Sequence, residues 1–242
     1  MAKTDAHVRF VILSAARSGT SLLADTLDSH PQIVCHGEIF HPDPEWHIRG
    51  DMAGWSKEDK RALSKDRDNL LDRAFTQPGA KAVGFKMWQN QAPDISDRLL
   101  ADESVRKIIF ERRNKLSQFS STALAVQTGV WNIGLDGNTR PPKVAPLAFD
   151  DAAFHEFLSY QNDVFSHYRA TARGPVLDMA FQGLLQDGFG GLQTFLGVKV
   201  APLQAQKRRL HGTDILARFR PEDHDRIRAV LDGLGQADWI SE

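Results

Sequence analysis

The chain has 242 residues, 41% of them hydrophobic, and 31 acidic against 30 basic side chains leave a net charge of −1. That is enough apolar material for one substantial core, so a single domain over residues 1–242 is expected, while the near-neutral charge gives no case for nucleic acid or a membrane surface as a partner. The single cysteine, Cys35, excludes an internal disulfide framework and suits a reducing compartment, and the chain has no segment with the length and apolarity of a membrane span or leader before its first expected strand.

In chain order, Val8, Phe10, Val11, Ile12 and Leu13 form a short β-branched and aromatic run bounded by polar residues, the pattern of a buried strand. A polar turn from Ser14 to Gly19 follows, and from Thr20 the residues Leu22, Leu23 and Leu27 recur at helical spacing until Ser29, His30 and Pro31 end the helix. Trp55 to Phe75 is highly charged, with Leu63, Leu70, Leu71 and Phe75 at roughly helical intervals, and reads as a solvent-facing helix. Lys81–Met87 and Val105–Phe110 read as strands, and Asn114 is placed to cap a helix running to about Thr128. Gly134, Gly137, Pro141, Pro142 and Pro146 mark a long loop from Gly129 to Phe149, of a length that usually carries function. A long helix over about Asp151–Ala172, a short strand at Pro175–Met179 and a charged helix starting near Pro221 complete the pattern. Strands alternating with helices predict an α/β fold, a three-layer α/β/α arrangement around a central parallel sheet.

The turn between the first strand and helix is the chemically informative segment. A helix start presents unpaired N–H groups and the positive end of its dipole, so an anion fits there. Ser18, Thr20 and Ser21 add hydroxyls and Arg17 a fixed charge. The G-x-x-x-x-G-K-[ST] loop of nucleoside-triphosphate enzymes would need glycine at Ser14 and lysine at Thr20, and neither is present. The Val105–Phe110 strand runs into Glu111, Arg112 and Arg113 rather than the aspartate that a magnesium-dependent enzyme of that type wants. Arginine, hydroxyls and backbone therefore suit this turn to an anion better than a metal does.

Ala-Arg-Ser-Gly-Thr-Ser at 16–21 resembles the 5′-phosphosulfate loop of sulfotransferases that use 3′-phosphoadenosine 5′-phosphosulfate (PAPS), in the arginine-bearing form of carbohydrate-type members. Arg113, at a strand end with Ser121 eight residues on, resembles the family's second signature, which holds the 3′-phosphate. HGEIF at 36–40, VGFKM at 83–87 and QTGVWN at 127–132 resemble bacterial sulfotransferases of the nodulation-factor and trehalose type. The resemblance covers roughly residues 8–132. Phe181, Gln182, Gly183 and Leu184 depart from it, standing where members often carry a Tyr-Glu-Asp-Leu-like segment, whereas FLGV at 195–198 matches a usual helix end. The basic cluster Lys207, Arg208 and Arg209 stands where many members place a loop over the 3′-phosphate.

The resemblance implies a sulfotransferase that moves the sulfuryl group of PAPS to the hydroxyl of a small molecule or glycan, with no metal and, in the absence of the anchor that Golgi members carry, in the cytoplasm. Glu38 is then the candidate general base, with His36 and His41 as alternatives; Arg17 stabilises the leaving group and Lys86 adds positive charge or touches substrate. Arg17, Ser18, Gly19, Thr20, Ser21, Arg113, Ser121, Lys207 and Arg209 are the candidate donor-binding residues. Arg112 is expected to pair with Glu111 or Asp102 on the surface. Two anion sites are required because micromolar affinity is about −8 kcal/mol, whereas one charge-assisted hydrogen bond nets about 1.5–3 kcal/mol. A kinase-like P-loop enzyme and a catalytically silent nucleotide-binding protein of the same fold are the alternatives.

Overall fold

The computed structural model describes residues 7–132, 143–204 and 212–242. Its centre is a five-stranded sheet of β1 (Val8–Ser14), β2 (Ile33–His36), β3 (Ala82–Trp88), β4 (Val105–Glu111) and β5 (Val176–Ala180), in the order β2-β3-β1-β4-β5. Every pairing is parallel. β1 is central because its residues can be buried on both faces. Phe10 and Ile12 point to one core with α1 (Thr20–Asp28), α7 (Phe181–Asp187) and α8 (Gly190–Phe195). Val11 and Leu13 point to the other, with α3 (Arg67–Phe75), α4 (Pro93–Ala101) and α6 (Asp151–Thr171). The strand period of two thus makes three layers, as expected. A third cluster joins Leu116 of α5 (Lys115–Thr128) to Phe154, Ile227 and Leu231, the last two on α9 (His224–Gly233).

The sequence-predicted elements fall within a residue or two of the observed ones, apart from the Trp55–Phe75 segment and the last helix, which starts at His224 after a 3₁₀ turn over Pro221–Asp223. That segment is two helices, Lys57–Leu63 (α2) and α3, because Asp66 accepts from Asn69 N at 3.1 Å and starts a new helix. Nor does α3 face solvent throughout, since Leu70, Leu71 and Phe75 are buried. Residues 133–142 of the expected loop lie outside the described residues, while Phe149, at its end, is buried against Phe154 and Phe219.

Two contacts fix the carboxyl edge of the sheet. Ser14 Oγ donates to Phe110 O at 2.6 Å, tying the ends of β1 and β4. Tyr168, fully buried on α6, donates to Ser14 O at 3.1 Å and accepts from Gln89 N at 2.9 Å. In an open parallel sheet this edge is where ligands bind. The sheet is also tightly packed at Gly84, where an added Cβ would lie 2.2 Å from Phe10 O and 2.6 Å from its ring. Gly84→Ala is therefore expected to destabilise the fold by about 1–3 kcal/mol, the usual cost of overpacking, read as a lower urea midpoint at unchanged slope.

Candidate active site

The turn after β1 bends twice through the left-handed region, at Arg17 (φ 62°) and at Gly19 (φ 88°). Arg17 is the one non-glycine residue with positive φ among those described, a conformation that costs about 1–3 kcal/mol unless the surroundings hold it. Gly19 cannot be replaced cheaply, because a Cβ there would lie 2.5 Å from the ring of Phe181. Gly19 also supplies no side-chain acceptor at the start of α1, and the N–H groups of Ser18, Gly19, Thr20 and Ser21 donate to no other group among the described residues. These are the orphan donors an anion would take.

Helix α5 and the end of β4 hold this turn from behind. Gln118, fully buried, donates to Ala16 O at 2.6 Å and Ser18 Oγ at 3.2 Å. Arg17 Nε donates to Ser121 Oγ at 3.0 Å, its Nη1 donates to Trp131 O, and Arg112 Nη1 donates to Arg17 O at 3.1 Å. Burial, with the neighbouring charge of Arg112, lowers the Arg17 pKa to about 10, which still leaves it charged at neutral pH. Ser18 is wholly buried, its hydroxyl accepting from Gln118, so its hydroxyl is not a free donor to an anion; Thr20 is buried as well.

Opposite the turn, Lys86 Nζ on β3 lies 2.7 Å from Glu38 Oε1 and donates to Ser21 Oγ at 2.7 Å. Glu38 Oε2 accepts from Gln91 Nε2 at 2.8 Å. Neither Lys86 nor Glu38 is a surface residue: they are 4% and 7% exposed. Burial disfavours the Glu38 carboxylate, but the Lys86 charge and hydrogen bond, with His47 and Gln91, outweigh it and hold the carboxyl below its ordinary value. His36 is committed elsewhere. Its Nδ1 accepts from Arg49 N at 2.9 Å, so the proton sits on Nε2, which donates to Ala74 O at 3.0 Å. His41 accepts from Asp43 N at 3.0 Å, and its ring lies 5.1 Å from that of His47.

At the end of β4, successive residues face opposite ways. Arg113 is exposed, with no partner for its guanidinium among the described residues, while its backbone N–H donates to Gln182 Oε1 at 3.3 Å. Ser121, paired with Arg113 by spacing, instead bonds Arg17, so the two expected anion sites share a border. Arg112 is not a surface partner of Glu111 or Asp102. It is buried, with its guanidinium 5.3 Å from the Phe181 ring centroid and Nε donating to Glu242 Oε1 at 2.8 Å. Glu111 pairs instead with Lys115 at 2.8 Å and Arg169 at 2.5 Å. Lys207, Arg208 and Arg209 lie outside the described residues. The sequence reading missed Gln118, Gln91 and Glu242; the alternation of a strand end, which turns one of two adjacent arginines inward, was the available signal for Arg112.

Burial lowers the pKa of His36 from 6.5 to about 4, and that of His47 likewise. Between those values the unfolded chain takes up protons that the folded chain refuses, so stability falls as pH falls through this window. Urea midpoints should drop between about pH 7 and about pH 5, and His36→Gln should lower overall stability while shrinking that drop. An equal drop in the variant would remove His36 from the account.

A profile of the sulfotransferase family matches residues 9–128. Nodulation protein H of Rhizobium meliloti (strain 1021) is 30% identical over 157 residues, covering 60% of this chain and 59% of its own. Nodulation protein H of Rhizobium tropici is 33% identical over 144 residues, covering 56% and 53%, so these matches span less than two thirds of either relative. Among solved structures, a sulfotransferase from Alicyclobacillus acidocaldarius superposes with a TM-score of 0.50 at 18% identity, over 96% of this chain and 95% of that one. The sulfotransferase domain from the curacin biosynthetic pathway gives 0.50 at 15% identity, over 81% and 76%. At those identities the superpositions speak for the fold alone, whereas the profile match spans the phosphate-type turn, the Glu38–Lys86 pair and the β4–α5 corner. The chain belongs to the sulfotransferase family.

Proposed function

We propose that the chain transfers the sulfuryl group of PAPS to an acceptor hydroxyl, with a carbohydrate or glycoconjugate as the favoured acceptor class. The observation that carries this reading is the position of Lys86, whose Nζ reaches both Ser21 of the anion-binding turn and Glu38 at 2.7 Å. One cation thereby joins the place where a leaving phosphate would sit to the carboxylate that would receive a proton. The residues fit such a donor: orphan N–H groups line the turn, Ser121 borders it through Arg17, and the guanidinium of Arg113, at the end of the neighbouring strand, has no partner among the described residues.

In the proposed step, the acceptor oxygen forms a bond to sulfur as the bond from sulfur to the 5′-phosphate oxygen breaks in line. The acceptor proton passes to Glu38, and 3′-phosphoadenosine 5′-phosphate leaves with the electron pair. A carboxylate held below its ordinary pKa is a weak base for an alcohol, so the proton moves once bonding to sulfur has made the hydroxyl acidic. Lys86 and the turn N–H groups meet the charge that grows on the leaving oxygen. A magnesium-dependent kinase reading is disfavoured by the donor set, because the strand-end carboxylate, Glu111, is engaged by Lys115 and Arg169. The acceptor class rests on likeness to carbohydrate-type members. No helix among the described residues is long and apolar enough to cross a membrane.

Isothermal titration with 3′-phosphoadenosine 5′-phosphate in EDTA tests the reading. Micromolar binding is expected, weakened about tenfold or more by Arg17→Ala and by Arg113→Ala, since each deletes a charge-assisted contact. Glu38→Gln is expected to retain that affinity and lose at least about a hundredfold in kcat. Full kcat in that variant removes Glu38 as base, and a strict metal requirement or absent binding removes the sulfotransferase reading.

A further inference from the structure

We infer that Glu242 is a positioning residue for the donor-binding turn, acting through Arg112; this rests on the proposed sulfotransferase reading. The evidence is a chain of contacts that begins far from the turn. Asn114 Nδ2 donates to Trp239 O at 3.0 Å and Ser241 O at 2.9 Å, and Glu242 N donates to Thr213 O at 2.9 Å. These bonds fasten the backbone that leads into the Glu242 side chain, which is 3% exposed.

Its carboxylate accepts from Arg112 Nε at 2.8 Å, from Arg112 Nη2, from Ser117 Oγ at 3.0 Å and from Gln182 Nε2 at 3.4 Å. A guanidinium is a rigid planar fork, so fixing its Nε and Nη2 edge also fixes where Nη1 points. Nη1 donates to Arg17 O at 3.1 Å, the carbonyl of the residue whose φ is 62°. Glu242 thus sets the far end of the contact that holds the left-handed bend.

Charge gives a second reason. Arg112 is close enough to Arg17 to disfavour its protonated form. An unpaired Arg112 would repel the cation expected to meet the donor more strongly, and the Glu242 carboxylate beside it opposes that repulsion. Glu242 touches neither donor nor acceptor in this scheme, so it positions and does not catalyse. A purely structural buried ion pair is the competing explanation, and such pairs are often neutral for stability when both partners are replaced.

The test compares Glu242→Gln, Arg112→Gln and the double variant, each titrated with 3′-phosphoadenosine 5′-phosphate well below its Tm and assayed for kcat and acceptor KM. Each single variant is expected to raise the nucleotide Kd about tenfold with acceptor KM unchanged, and the double variant to be no worse than the weaker-binding single, as expected of one linked unit. The double variant leaves no unpaired buried charge, so it keeps the test open should a single variant fail to fold. Unchanged Kd in the folded variants makes the pair merely structural and overturns the inference. Tighter binding also overturns it, since the carboxylate would then be competing with the ligand, and additive losses would show two independent effects. If the wild-type protein itself does not bind the nucleotide, the sulfotransferase reading falls first and this inference with it.

Discussion

The turn between β1 and α1 cannot hold its shape alone, and the arrangement of the site depends on what holds it. It bends through Arg17 in a conformation that side chains avoid, and it turns the Ala16 and Arg17 carbonyls away from regular pairing. Leaving one such buried group unpaired would cost about 1–3 kcal/mol. Gln118 and Arg112 satisfy these carbonyls, and Ser121 holds the Arg17 side chain. Because β1 and β4 are adjacent parallel strands, the helix that follows β4 is the natural buttress for the turn that follows β1. The carbonyls of the turn are thus engaged, while the N–H groups of Ser18 to Ser21 donate to no other group among the described residues.

The same economy governs the opposite wall. A buried lysine or carboxylate alone would be expensive, and Lys86 with Glu38 solves both problems with one contact of 2.7 Å. Gln91 takes the second carboxylate oxygen, so the carboxylate is orientated as well as neutralised. The arrangement trades basicity for position. It suits a reaction in which the acceptor proton becomes acidic late, and it makes a poor fit to one that needs a strong base at the outset.

Phe181 is where this chain departs from its family's pattern, and packing gives the departure a role. The ring fills the space under Gly19 and lies beside the Arg112 guanidinium. The segment that follows β5 therefore still serves the turn, by shape and stacking.

Much of this fold was legible because it is local. The strand period of β1, the helical spacing of Leu22, Leu23 and Leu27, and the Asn114 cap are each set by neighbours in sequence, and the elements they predict are present. The error at Trp55–Phe75 has a physical source: charge density suggested exposure, but Leu70, Leu71 and Phe75 still reach the core, and Asp66 caps a second helix that hydrophobic spacing alone does not separate. Motif likeness singled out Glu38 and Lys86 without revealing that they are partners, because their contact joins the segment after β2 to the end of the neighbouring strand β3, about fifty residues on in sequence. Arg112 with Glu242 was illegible for a similar reason, since no sequence-local pattern links residues so far apart. The most direct measurement is a crystal structure with 3′-phosphoadenosine 5′-phosphate. The account predicts the 5′-phosphate on the N–H groups of Ser18 to Ser21 and the 3′-phosphate on Arg113 and Ser121; a bisphosphate bound elsewhere, or one that leaves Arg113 and Ser121 untouched, would contradict it.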